Sequence, residues 1–113
     1  LGDGLKVTGR TQNVMVASTG DTLLVMYTGR LTDGTVFDTN LRGSYTPFPV
    51  RLGQGGVIQG WERGLVGAKL GDKFTLHIPA KLAYGAAGSG PVPANADLIF
   101  DIEVVGHWRP YRP

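Results

Sequence analysis

VIQGWERGL, residues 57–65, is the stretch whose reading decides the fold. Val57, Ile58, Trp61 and Leu65 recur at near-helical spacing while Gln59, Glu62 and Arg63 fall on the other side, which predicts a short amphipathic helix over 57–67 with one face buried. Gly60 and Gly64 oppose it, since a glycine weakens a helix interior by about 1 kcal/mol relative to alanine. A helix this short and this rich in glycine has to be held by packing, which calls for a curved sheet around it. Trp61 then aims its indole at whatever that sheet encloses.

Upstream, LKVT at 5–8 and NVMVAS at 13–18 are short β-prone runs, and TGD at 19–21 signals a turn. TLLVMYTGRL at 22–31 is the longest candidate strand, with Leu23, Val25 and Tyr27 on one face and Leu24 and Met26 on the other, the pattern of a central or partly covered strand. The Asp-Gly pair of TDG, 32–34, turns the chain into VFD at 36–38. A polar loop, 39–47, precedes PFPVRLG at 47–53, where two prolines leave room only for an edge or bulged strand.

Downstream of the helix, KFTLHIP at 73–79 alternates, with Phe74, Leu76 and Ile78 inward and His77 outward. The 85–95 loop leads into DLIFDIEVV, 97–105, with Leu98, Phe100, Ile102 and Val104 inward. Four to six strands and one helix define an α+β fold, a half-open antiparallel β-sheet wrapped around one short α-helix. GHWRPYRP at 106–113 reads as an unstructured end or the start of a linker, with docking of Trp108 and Tyr111 as the alternative. Glu62 is expected to face solvent or to pair with Arg63 or Lys69.

A chain of 113 residues that is 42% hydrophobic supports one core and not two, so 1–113 is expected to be a single domain. Its 18 glycines and seven prolines favour tight turns between strands over long helices. No run approaches the ~18 apolar residues of a membrane span and none resembles a secretory signal, so membrane insertion is not expected. Absence of cysteine removes disulfides and thiolate chemistry and leaves the compartment open, with the cytoplasm slightly favoured. A net charge of +2, with Lys and Arg scattered from Lys6 to Arg112, argues against a nucleic-acid partner. The first residue is Leu1, as in a processed protein or a domain cut from a longer chain.

The helix, YTGRLTDGTVFD at 27–38 and LAYGAAGSGPVP at 82–93 together resemble the FKBP family of peptidyl-prolyl cis/trans isomerases, the immunophilins that bind tacrolimus and rapamycin. The resemblance covers about residues 5–105, and its markers include Tyr27, Gly29, Asp33, Gly34, Phe37, Asp38, Phe48, Leu52, Gly53, Val57, Ile58, Gly60, Trp61, Glu62, Gly64, Tyr84, Gly85, Gly88, Pro93, Leu98, Phe100 and Glu103. It implies an enzyme acting on X-Pro bonds in peptides and unfolded proteins. Trp61 would be the pocket floor, and Tyr27, Phe37, Phe48, Val57, Ile58, Tyr84 and Phe100 its walls. Asp38 would be the one charge at the rim, with the Ile58 N–H and the Tyr84 hydroxyl as donors to substrate carbonyls. Asp38, Tyr84, Ile58 and Trp61 are thus the catalytic candidates, with no cofactor and no metal.

Such a reaction breaks no covalent bond, and His77 and His107 stand outside any H-E-x-x-H or triad pattern. The expected partners are proline-containing peptides and proteins and the macrolides, and a monomer is expected. A non-catalytic binding module on the same fold is the alternative, although such modules usually lose pocket aromatics or the aspartate. A nucleic-acid-binding β-domain would need aromatics on an exposed basic face. Val50 stands where many members carry a second phenylalanine, so a smaller pocket wall is expected there. The 39–47 loop and the loop after Tyr84 also depart slightly in length, and Tyr45 and Ser89 within them are candidates for touching a bound peptide.

Overall fold

A computed structural model describes residues 15–110. The central strand is β1, Thr22–Leu31, which buries Leu23 and Val25 on the inner face and Met26 on the other while Leu24 stays exposed. β5, Leu98–Trp108, pairs antiparallel with the whole of β1, with Thr22 opposite Trp108 and Leu31 opposite Leu98. The other edge of β1 is shared by two short strands, β2 at Val36–Thr39 and β3 at Phe48–Arg51. β4, Lys73–Ile78, completes the sheet on the far side of β5. With Pro49 in it, β3 is an edge strand whose one partner among the described residues is β1, as the two prolines required.

The helix α1 is shorter than its sequence pattern, running Gln59–Gly64 and not 57–67. Ile58 caps it with non-helical backbone (φ −59°, ψ 152°), so Val57 and Ile58 stand outside the helix and only the Ile58 carbonyl joins the first turn. At the other end the chain leaves helical geometry after Leu65, and Gly67 N–H donates to the Ala17 carbonyl at 2.8 Å. Tertiary backbone bonds thus displace the continuation that periodicity alone suggested.

Packing explains the two glycines. A Cβ at Gly60 would lie 2.5 Å from Ile78 Cγ2 and 2.7 Å from its Cδ1, and one at Gly64 would lie 2.8 Å from both Leu76 methyls. α1 therefore rests its backbone directly on β4, and the propensity lost at each glycine is the condition for that close approach. Trp61, 4% exposed, and Leu65 then reach the core formed with Leu23, Val25, Val50, Leu98, Phe100 and Ile102.

Residues 106–110 overturn the reading of an unstructured tail. β5 continues to Trp108, and the His107 and Asp21 side chains are each 2% exposed. The Asp21 carboxylate accepts from His107 Nε2 at 2.8 Å, from Arg109 Nε and Nη2 at 2.9 Å each, and from Ser18 N–H at 3.0 Å. A buried carboxylate demands partners, and the C-terminal residues supply them. Trp108 itself is 60% exposed. Tyr111, the expected strand at 5–8 and the first two residues of the 13–18 run lie outside the described residues, and within 15–18 a single bridge joins Val16 to Lys69.

The Gly60 contact predicts that alanine there destabilises although it favours the helix. Overpacking against buried Ile78 costs about 1–3 kcal/mol, against a propensity gain of about 1. Gly64→Ala should be milder because half-buried Leu76 can swing its methyls aside, and urea melts of the two variants test the order.

The Arg109 guanidinium, ahead of the His107 and Ser18 hydrogen bonds, holds the Asp21 carboxyl well below its ordinary 3.8 although burial pushes the other way. A depressed folded-state pKa adds stability that is fully present above the ordinary value and is lost as pH falls below it. Asp21→Asn should therefore lose about 2–3 kcal/mol at neutral pH and show a shallower decline of Tm than the parent protein below about pH 4.

Candidate functional site

Alternation along β1 places Tyr27 on the inner face beyond Val25, at the mouth of the half-open sheet. Phe100 reaches the same face from β5 directly opposite Gly29. A Cβ at Gly29 would come within 2.6 Å of Phe100 and 2.8 Å of Phe37, so the missing side chain is what lets those two rings meet. Their centroids are 5.6 Å apart at 87°. Phe48 enters from the start of β3 and Trp61 from α1.

Trp61 is the hub of these rings. It meets Tyr27 at 5.2 Å and 81°, Phe100 at 5.2 Å and 86°, and Phe48 at 6.1 Å and 82°. Edge-to-face contacts of this kind are each worth about 0.5–1.5 kcal/mol beyond burial, and they fix ring orientation. The indole N–H is buried without an acceptor among the described residues.

All nine residues expected at the site, Tyr27, Phe37, Asp38, Phe48, Val57, Ile58, Trp61, Tyr84 and Phe100, line one cavity of about 150 Å³ together with Gly56, which sequence reasoning missed. Val50 is absent from that lining. It is 1% exposed in the core opposite Leu23, so the expectation of a smaller pocket wall at Val50 is corrected. A larger recess of about 350 Å³ opens beside Met26, Thr28, Lys73, Asp101 and Glu103. It gathers charged side chains and none of the Trp61 cluster except Tyr27, so the smaller aromatic cavity is the better candidate. Tyr45 and Ser89 are exposed on their loops.

Polar groups sit at the rim. The Tyr27 hydroxyl donates to Asp38 Oδ2 at 2.9 Å. Burial first, and then the Asp38 hydrogen bond and charge, push the Tyr27 phenol from 10.0 to about 12. Tyr84 follows a single 3₁₀ turn, Ala80–Leu82, which the Asp97 carboxylate anchors by accepting the Ala80 N–H at 2.9 Å. The Tyr84 hydroxyl and the Ile58 N–H have no hydrogen-bond partner among the described residues.

Two supports of the site escaped the sequence reading. Between the β2 and β3 segments the edge of β1 is open, and the Asn40 carboxamide fills the gap by accepting the Tyr27 N–H at 2.7 Å and donating to the Val25 carbonyl at 2.9 Å. Glu62 neither faces solvent alone nor pairs with Arg63 or Lys69. Its carboxylate accepts the N–H groups of Gly53 at 2.7 Å and Gly55 at 3.1 Å. An asparagine in a polar loop and a glutamate on a helix carry no signal of such contacts until the loops are placed.

A family model described as FKBP-type peptidyl-prolyl cis-trans isomerase matches residues 14–105. Among curated relatives, "Peptidyl-prolyl cis-trans isomerase FKBP15-2" of Arabidopsis thaliana is 52% identical over 104 residues, covering 90% of this chain and 62% of its own length. "FK506-binding protein 2" of Candida glabrata is 53% identical over 88 residues, 76% of this chain and 64% of that protein. The chain thus spans less than two thirds of either relative. Among solved structures, FkpA from Escherichia coli superposes with a TM-score of 0.76 at 39% identity, covering 86% of this chain and 44% of FkpA. AtFKBP13 gives 0.74 at 37% identity, covering 80% and 82%.

The raised Tyr27 pKa means that its protonated form is favoured in the folded state, and this contribution is lost as pH rises from 10.0 through about 12. Asp38→Val should bring the Tyr27 titration down toward 10 without reaching it, since burial remains. Alkaline absorbance titration, with Tyr27→Phe as the blank, measures the shift. An unchanged titration would remove Asp38 as the partner of Tyr27.

Proposed function

The chain belongs to the FKBP family, and from that premise we propose that it catalyses cis/trans isomerisation of X-Pro bonds in peptides and unfolded or flexible proteins. The observation that carries the reading is the joint placement of Tyr27, Phe37, Asp38, Phe48, Trp61, Tyr84 and Phe100 around one cavity, where an apolar floor meets a polar rim.

The barrier to rotation, about 18–20 kcal/mol, arises from C–N double-bond character. Resonance requires charge on the carbonyl oxygen, which water stabilises. A proline ring seated on Trp61 between Tyr27, Phe48 and Phe100 carries its amide out of water, and the planar forms lose that support more than the twisted form does. The Ile58 N–H and the Tyr84 hydroxyl hold flanking carbonyls of the peptide while the bond turns. Asp38, fixed by the Tyr27 hydroxyl, orients polar groups at the rim. An acceleration of about 10⁵-fold corresponds to about 7 kcal/mol of differential stabilisation, within reach of desolvation, shape and a few hydrogen bonds. No proton is transferred in this scheme.

The same cavity is proposed to take the pipecolinyl ring of tacrolimus or rapamycin, so catalysis and drug binding exclude each other. A prolyl isomerisation assay on a proline-containing chromogenic peptide, with and without tacrolimus, tests both. Activity should vanish as the drug saturates and should vary little between about pH 6 and 8. Tyr84→Phe should weaken drug binding by about 0.5–1.5 kcal/mol. Trp61→Leu should lower kcat/KM and reduce stability by about 2–4 kcal/mol. Activity that persists with the drug demonstrably bound would separate the two sites, and peptide binding without turnover would favour a binding module.

A further inference from the structure

Three of the four residues between Leu52 and Val57 are glycines, Gly53, Gly55 and Gly56, with Gln54 between them. Left to itself such a segment is among the most mobile a chain can have, because glycine loses the most conformational freedom on ordering and offers no side chain to pack. Yet its far end supplies Gly56, Val57 and Ile58 to the cavity wall. Something has to hold it.

One end is tied at Leu52, whose N–H donates to the Asp21 carbonyl at 2.9 Å. Gly53 and Gly55 then take φ of +90° and +70°, conformations open to glycine. In those conformations they bring their N–H groups to Glu62, one to each carboxylate oxygen, at 2.7 and 3.1 Å. Hydrogen bonds to an ionised acceptor are roughly twice as strong as neutral ones. The backbone N–H of the same residue donates to the Ile58 carbonyl at 3.2 Å in the first turn of α1. A single glutamate thus clasps both ends of the segment.

We propose that Glu62 is a positioning residue of the pocket: its carboxylate, by binding the Gly53 and Gly55 N–H groups, holds the Gly56–Ile58 wall and aims the Ile58 N–H at the substrate carbonyl. This rests on the isomerase reading, which gives the Ile58 N–H its acceptor.

Glu62→Ala and Glu62→Gln test it, with Asp72→Ala as the control. Asp72 anchors a turn outside the pocket in the same chemical way, accepting the Lys69 N–H at 2.8 Å. Glu62→Ala should lower kcat/KM and tacrolimus affinity about tenfold and speed amide exchange at Gly53 and Gly55. Glu62→Gln should fall between, because its single acceptor oxygen serves only one of the two donors. Asp72→Ala should lower Tm while kcat/KM stays within twofold. The proposal is overturned if folded Glu62→Ala keeps kcat/KM and tacrolimus affinity within twofold of the parent, or if Asp72→Ala loses activity equally. A parent protein without isomerase activity would defeat the functional reading instead, and drug affinity would then decide the role of Glu62.

Discussion

The contact between the Gly60 backbone and Ile78 governs where everything else can stand. With no Cβ between them, α1 lies against β4 closely enough for Trp61 to rise beside Phe100 and meet Tyr27 and Phe48. A helix of ordinary composition would stand off by the thickness of a methyl layer, and the indole would then separate from its neighbours. Six residues with two glycines cannot form a helix by propensity. α1 exists because the sheet receives it, and the cavity exists because α1 is received so closely.

The resulting site has rigidity in place of reactive groups. Every ring in it except Tyr84 meets another ring edge-on, and Trp61 touches three of them, so the floor cannot relax toward a ligand at little cost. That suits a reaction whose reactant and transition state differ by a rotation and by how strongly the carbonyl calls for water. A soft floor would follow the substrate as it twisted and stabilise every form alike, which lowers KM without raising kcat.

Much of this was legible in the sequence, and what was not has a common cause. Alternation gave β1, β4 and the inner residues of β5, and the prolines gave β3 its edge position, because those signals are local. All nine expected pocket residues converge because the motifs carrying them match a family whose spacing encodes the fold. The misreadings concern contacts made across the chain. α1 ends early because Ala17 and Ala68 take over the backbone beyond it. The tail becomes strand because Asp21, buried 86 residues before His107 in the chain, needs His107 and Arg109. Val50 left the expected wall because its strand turns that position toward Leu23.

The polar side of the cavity raises a different requirement, since the donor proposed at Ile58 is a backbone N–H and a backbone atom is only as well placed as its loop. Nothing at position 58 itself can secure it. The securing groups are amide and carboxylate side chains that imitate an adjacent strand. Asn40 closes the open edge of β1 behind Tyr27 with one acceptor and one donor, as a neighbouring peptide unit would. Glu62 has only acceptors, and it meets only N–H groups, on a segment whose glycines turn two of them the same way. An aromatic box can be built from packing alone, whereas an aimed N–H requires a partner for the loop that carries it. In this chain that demand falls on residues whose side chains are absent from the cavity lining.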